Sequence, residues 1–295
     1  MVRSTSRWPL GLAAVAASLV LLTTACQPPE PWKKVPIVGF VPVKHYVLNS
    51  ITQDQGPATV YRTSASTGKP YMKLVYGGEI IDGAFSNAGW THVGDPDSHA
   101  GYIVWPYQAS DFANGKMFNV VTPHGRSFDY VHPLAPGEEG NNSFASISPD
   151  GQWIVSGEWD TEGRLLVFPM PILNASVPSV PSGTGTLALA STITLSTPLT
   201  QVQGCDFASA TRLICSVDDT TKRLVDVTLP APLSGADTTG TVSDLGKLPL
   251  FSDCKGDYET EGVDYDTVTK LLRVQVIQPK PCFIHTDTYL YRPAA

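Results

Sequence analysis

The stretch HVGDPDSH (92–99) places His92, Asp95, Asp97 and His99 within eight residues. Imidazoles and carboxylates at that density can chelate a metal or pass a proton. An extended backbone separates them, however. At ~3.3 Å per residue the two histidines lie ~20 Å apart, and Asp97 reads better as the residue that stabilises a hairpin turn. The other groups able to do chemistry are scattered: Glu158, Gln203, Asp218 and Glu261, with Tyr107, Gln108, Asp160 and Asp219 beside them. Glu261 with Glu158 could form an acid/base pair for glycoside or ester hydrolysis, provided burial separates their pKa values. The same carboxylates could hold Ca²⁺, a hard cation that prefers oxygen ligands. The sequence contains no GxSxG elbow, HExxH pair, P-loop or dinucleotide glycine motif.

Such scattered residues meet only if the fold gathers them. The chain is rich in Gly and Pro and in short β-branched runs such as YIVWPY, WIVSGEW, RLICSV and LLRVQVI, with no amphipathic helical stripe after the leader. It reads as all-β. The segments 92–107, 145–159, 203–219 and 261–277 each show a strand, a polar turn and an apolar strand. Their second strands begin at Gly101, Gln152, Arg212 and Lys270, about 50–60 residues apart. A fainter copy spans 46–63. A further hairpin follows most copies, among them KMFNVVTPHGRSFDYV and, in the first copy, PYMKLVYGGEIID.

The SISPDGQW turn (146–153) resembles that of tryptophan-aspartate-type propeller repeats, and the chain resembles secreted actinobacterial propeller lipoproteins of unassigned function. The resemblance implies a five-bladed β-propeller over 38–295. In it VPIVGFVPV (35–43) supplies the strand missing from the last blade and removes an open edge. The alternative is a β-sandwich with fortuitous spacing. In a propeller, His92, Ala145, Gln203 and Glu261 open equivalent inner strands, and Glu158 and Asp218 lie in loops on the same face. His92, Gln203, Glu261, Glu158 and Asp218 are therefore the candidate ligand-binding residues at a channel mouth. Alternatively, they simply cap strand ends.

The N-terminus has Arg3 and Arg7, an apolar run from Leu10 to Leu22 and small residues before Cys26. This is the pattern of a signal peptide (1–25) followed by a cysteine that receives lipid, with 26–37 as a Pro-rich tether. An ordinary secretory signal is the alternative. Both expect an extracytoplasmic protein attached to the membrane, if at all, only by lipid. The remaining cysteines bracket hairpin turns, 205 with 215 around Ala210 and 254 with 282 around Val268, which predicts disulfides Cys205–Cys215 and Cys254–Cys282. A net charge of −7 argues against nucleic acid. The sequence thus points to a binding module for a small molecule, glycan or protein that needs no cofactor, with a lactonase-, phosphatase- or glycosidase-type hydrolase as the alternative.

Overall fold

The computed structural model describes residues 31–78, 80–109, 114–180 and 183–295. Cys26 and the leader lie outside the described residues. The chain begins with a 3₁₀ turn, Pro31–Lys34, whose Trp32 is buried against His45, Tyr289 and Tyr291. Ile37 is buried as well. Within the stretch expected as the end of a spacer, Trp32 and Ile37 thus pack into the core while Lys33, Lys34 and Pro36 stay exposed.

Strand β1 (Phe40–Asn49) follows, and the Asn49 side chain caps the short helix α1 (Ser50–Gln53) by accepting the Ile51 N–H. Strands β2 (Pro57–Thr63) and β3 (Pro70–Tyr76) form a sheet of their own. After α2 (Gly83–Asn87) come β4 (Trp90–Val93), β5 (Asp97–His99), β6 (Tyr102–Ala109), β7 (Lys116–Val121) and β8 (Ser127–His132). Next are β9 (Ser146–Ile147), β10 (Trp153–Ser156), β11 (Thr161–Pro169), β12 (Thr184–Thr186) and β13 (Ser191–Thr200). The series β14 (Val202–Ser209), β15 (Arg212–Val217), β16 (Arg223–Thr228) and β17 (Thr238–Lys247) precedes β18 (Glu259–Asp266), β19 (Leu271–Ile277) and β20 (His285–Pro293).

Within each series neighbouring strands pair antiparallel, β4 and β5 both against β6, while β12 leaves its own series to join β8. The innermost ones touch in a cycle: β2 meets β5, β5 meets β9, β9 meets β14, β14 meets β18, and β18 returns to β2. Apolar clusters fill the space between neighbouring sheets. Val104, Phe118, Ile154 and Phe168 form one, Val155, Leu165, Val202 and Leu213 a second, and Ile214, Leu224, Val274 and Tyr291 a third. Sheets radiating from a ring of inner strands are the arrangement of a β-propeller.

The ring closes where β1 pairs with β20, from Phe40 opposite Pro293 to Asn49 opposite His285. The closing strand is displaced from the expected 35–43. It takes Tyr46–Asn49, which the sequence had assigned to the first repeat. The inner strand of that repeat is instead β2, and PYMKLVY is its second and last strand. The cause is the α1 turn, which carries the chain from the outer edge to the axis before the repeat begins. In the long excursion before β13, Thr184–Thr186 adds in parallel to β8.

Both expected disulfides are present. Cys205 lies directly opposite Cys215 on β14 and β15, with Cα atoms 4.0 Å apart, and Cys254–Cys282 joins the segments flanking the β18–β19 hairpin. The SPDG turn caps itself: Asp150 accepts from Ser148 Oγ and the Gln152 N–H, Ser148 Oγ accepts the Trp153 N–H, and Gly151 takes φ +70°. A chain that begins at Ser50 lacks β1 and is expected to lose its cooperative near-UV circular dichroism transition. A transition within a few degrees of the intact chain's would show that the ring needs no such closure.

Candidate functional site

The residues expected at the channel mouth go to several places. His92, on β4, bonds Gln55 Oε1 at 3.0 Å. Gln203, on β14, reaches Glu259 at 3.5 Å. Glu261 is 2 % exposed, and its carbonyl accepts the Ser216 hydroxyl. Burial pushes the Glu261 carboxyl well up, and Glu259, Asp54, Asp218 and Asp95 push it further. Asp218 takes the Thr260 N–H at 2.6 Å and pairs with Lys222 at 2.7 Å. Gln203, Glu261 and Asp218 thus share one neighbourhood with Glu259.

Glu158 lies in a separate cleft with Glu139, Trp159 and Glu162. It holds Arg164 at 2.7 and 2.9 Å and accepts the Glu139 N–H. Burial opposes its ionisation, but these bonds outweigh burial and keep its pKa below the usual range. Nearby, the fully buried Lys116 donates to the Gly157 and Asn141 carbonyls. Burial pushes Lys116 down to about 8 against the attraction of Glu138, Glu158, Glu162 and Glu139. Among the described residues, no three His, Cys, Asp or Glu side chains are placed to hold a metal ion.

The axis carries a group that the sequence reading passed over. On three inner strands an aspartate accepts the main-chain N–H of the next strand around the ring: Asp97 from Ile147 at 2.6 Å, Asp206 from Tyr265 at 2.5 Å, and Asp264 from Thr59 at 2.8 Å. By cross-strand register these aspartates are equivalent to one another and to Ser146. Asp97, expected only to stabilise its own turn, therefore also ties two blades together. Two residues before these three aspartates stand Asp95, Gly204 and Gly262. Gly56, Gly204 and Gly262 surround the carboxyl of Asp95, and a Cβ at any of them would fall 1.9–2.4 Å from its atoms. The signal was present in the sequence as repeated Gly-x-Asp, Gly204-Cys205-Asp206 and Gly262-Val263-Asp264.

At the turn end of these strands, opposite to where they begin, the axis opens into a cavity of about 210 Å³. Asp97, His99, Asp206, Asp264, Asp266 and Tyr61 contribute to its walls. Desolvation pushes Asp97 up to about 7, against its two N–H bonds, and raises Asp206 well above the usual range. It raises Asp264 as well, against the pull of Arg273, whose guanidinium bonds Asp264 in a buried pair. Asp266 behaves oppositely. Burial is outweighed by bonds from Thr269, Tyr61 and the Val268 N–H, and its pKa falls. Burial and the Asp266 carboxylate hold the Tyr61 phenol up at about 12. The cavity therefore combines carboxyls whose pKa is raised with one whose pKa is lowered.

No protein-family model and no curated protein sequence matches the chain. Among solved structures it is similar to the GH43_1 enzyme from Xanthomonas citri, at 11% identity and a TM-score of 0.45, covering 88% of this chain and 91% of that one. It is also similar to the RRP9 WD40 repeats, at 10% identity and TM-score 0.37, covering 81% and 67%. The β-propeller domain of Myceliophteria thermophila Cps50 (Swd1) follows at 10% and 0.31, covering 59% and 45%. At these values the fold assignment rests on this chain's own strand pairing.

Replacing Asp206 with alanine strips the acceptor from the Phe207 and Tyr265 N–H groups. At ~1–3 kcal/mol for each buried donor left unpaired, urea unfolding is expected to show a loss of about 2–6 kcal/mol, and a smaller one for Asp206→Asn. The raised acids set the pH response. Folded Asp97 keeps its proton up to about 7, whereas an unfolded aspartate releases it near ~3.9. Between those values the folded state binds more protons, so stability falls as pH rises. Asp95→Asn removes a buried carboxyl raised by the same desolvation, and is expected to flatten the decline between about pH 4 and 7 measured by urea titration.

Proposed function

We propose that the chain is a five-bladed propeller, exported by its N-terminal segment and lipidated at Cys26. It works outside the cytoplasm as a binding module for a small polar ligand held in the axial cavity. The cavity carries this reading. It is a concavity on the ring axis, and its walls come from the inner strands of four sheets. Its acceptor groups converge on one volume. At about 210 Å³ it is smaller than the ~300–1,000 Å³ of pockets for drug-sized ligands, which suits a single sugar ring, a small amine or one projecting group of a larger partner. Carboxyl-rich walls select hydroxyl or ammonium donors and reject anions. Two disulfides suit an oxidising compartment.

A hydrolase is the second reading, favoured by the opposite shifts of Asp97 and Asp266 in one cavity. Neighbouring carboxyls pushed apart in pKa are the arrangement from which general acid and base are assigned.

Titration calorimetry of the mature domain against monosaccharides and small amines, beside a rate screen on generic glycosides, esters and phosphates, tests both. Saturable binding that weakens in His99→Ala and Asp266→Asn is the expected result. Turnover that falls by ~10²-fold in Asp97→Asn would support the hydrolase. Binding that ignores both cavity substitutions would overturn the axial site.

A further inference from the structure

The sheets of this ring cover most of their outer edges. β12 adds in parallel to β8, and β13 and β17 pair with each other in parallel over Ile193–Leu195 and Thr238–Gly240. The outer strand β1 is interrupted by Pro42 and by a register shift between Pro42 and Lys44, features that discourage further pairing. β3 is different. Its sheet ends after two strands, its register with β2 is unbroken from Pro70 to Tyr76, and among the described residues nothing pairs with its outer side. Tyr71 and Met72 on this edge are 43% and 47% exposed.

We propose that β3 receives an acidic, extended segment of another protein as a third strand. Main-chain hydrogen bonds supply the attraction and alternating side chains the selectivity, as in other cases of strand addition. Charge chooses the occupant. The hairpin from residue 57 to 76 contains Arg62, Lys69 and Lys73 and no acid, in a chain whose net charge is −7. A second copy offering the same edge would bring like charges together, whereas a strand bearing glutamate or aspartate opposite Lys73 is attracted. The other face of β3, with Met72, Leu74 and Tyr76, calls for apolar side chains in alternation with those acids. The surface is independent of the axial cavity's ligand.

A synthetic peptide alternating glutamate and valine is the probe, followed by fluorescence anisotropy and by hydrogen exchange of the amides from 71 to 75. Binding with slowed exchange is expected. It should weaken by about tenfold or more in Lys69→Glu/Lys73→Glu, a variant whose unchanged unfolding midpoint verifies its fold. A lysine–valine peptide should bind that variant instead. N-methylation of alternate peptide residues, which leaves the protein untouched, should abolish binding. The proposal is overturned if no binding occurs, if binding survives both N-methylation and charge reversal, or if sedimentation shows the chain pairing with itself through β3.

Discussion

An aspartate carboxyl oxygen that accepts the N–H of the neighbouring inner strand holds this ring together. Between inner strands of adjacent sheets the described residues pair main chain to main chain at the parallel bridge of Asp95 with Phe144, and the other main-chain groups buried at the axis must be satisfied by side chains. Asp97, Asp206 and Asp264 supply the acceptors toward Ile147, Tyr265 and Thr59. Where the preceding inner strand carries Ser146 or Ala58 at that position, the receiving N–H turns to the aspartate one residue earlier in its own strand. Phe207 bonds Asp206 and Ser98 bonds Asp97. Hydroxyls add two more ties, from Ser98 to the Thr59 carbonyl and from Ser143 to the Val202 carbonyl.

That solution makes the axis acidic. Arg273 offsets Asp264 in a buried pair, while desolvation raises Asp95, Asp97, Asp206 and Glu261. A buried carboxyl that keeps its proton costs less than an unpaired buried charge. The structural duty of the aspartates and the polar character of the cavity are two results of one arrangement, since the groups that join the blades also line the space between them. Asp95 fills the centre only because glycines occupy the equivalent places on three other inner strands.

Features with a local cause were legible in the sequence. Strand, turn and strand recur because each hairpin is encoded by its own alternation and turn residues, and the cysteine pairings follow from hairpin symmetry. The closing strand was legible in kind but displaced in position, because Asn49 and α1 redirect the chain at a point where the β pattern continues through Tyr46–Asn49. The two-stranded first sheet was missed since PYMKLVY has no marker distinguishing a last strand from a middle one. The axial aspartates were missed for another reason. Each looks like a turn residue within its own hairpin, and its second bond reaches a strand tens of residues away or, for Asp264 and Thr59, near the opposite end of the chain. Only the recurrence of Gly-x-Asp pointed to it. His92, Gln203 and Glu261 were chosen by register at the ends where the strands begin, while the cavity lies where they turn.

Native-state hydrogen exchange of the Thr59, Ile147 and Tyr265 amides tests the ring most directly. If cross-strand aspartate carboxyls close it, the three amides exchange only through global unfolding, with one common free energy, and each is released selectively when its own aspartate is replaced by alanine. Rapid, independent exchange of these amides in the intact chain would contradict the account.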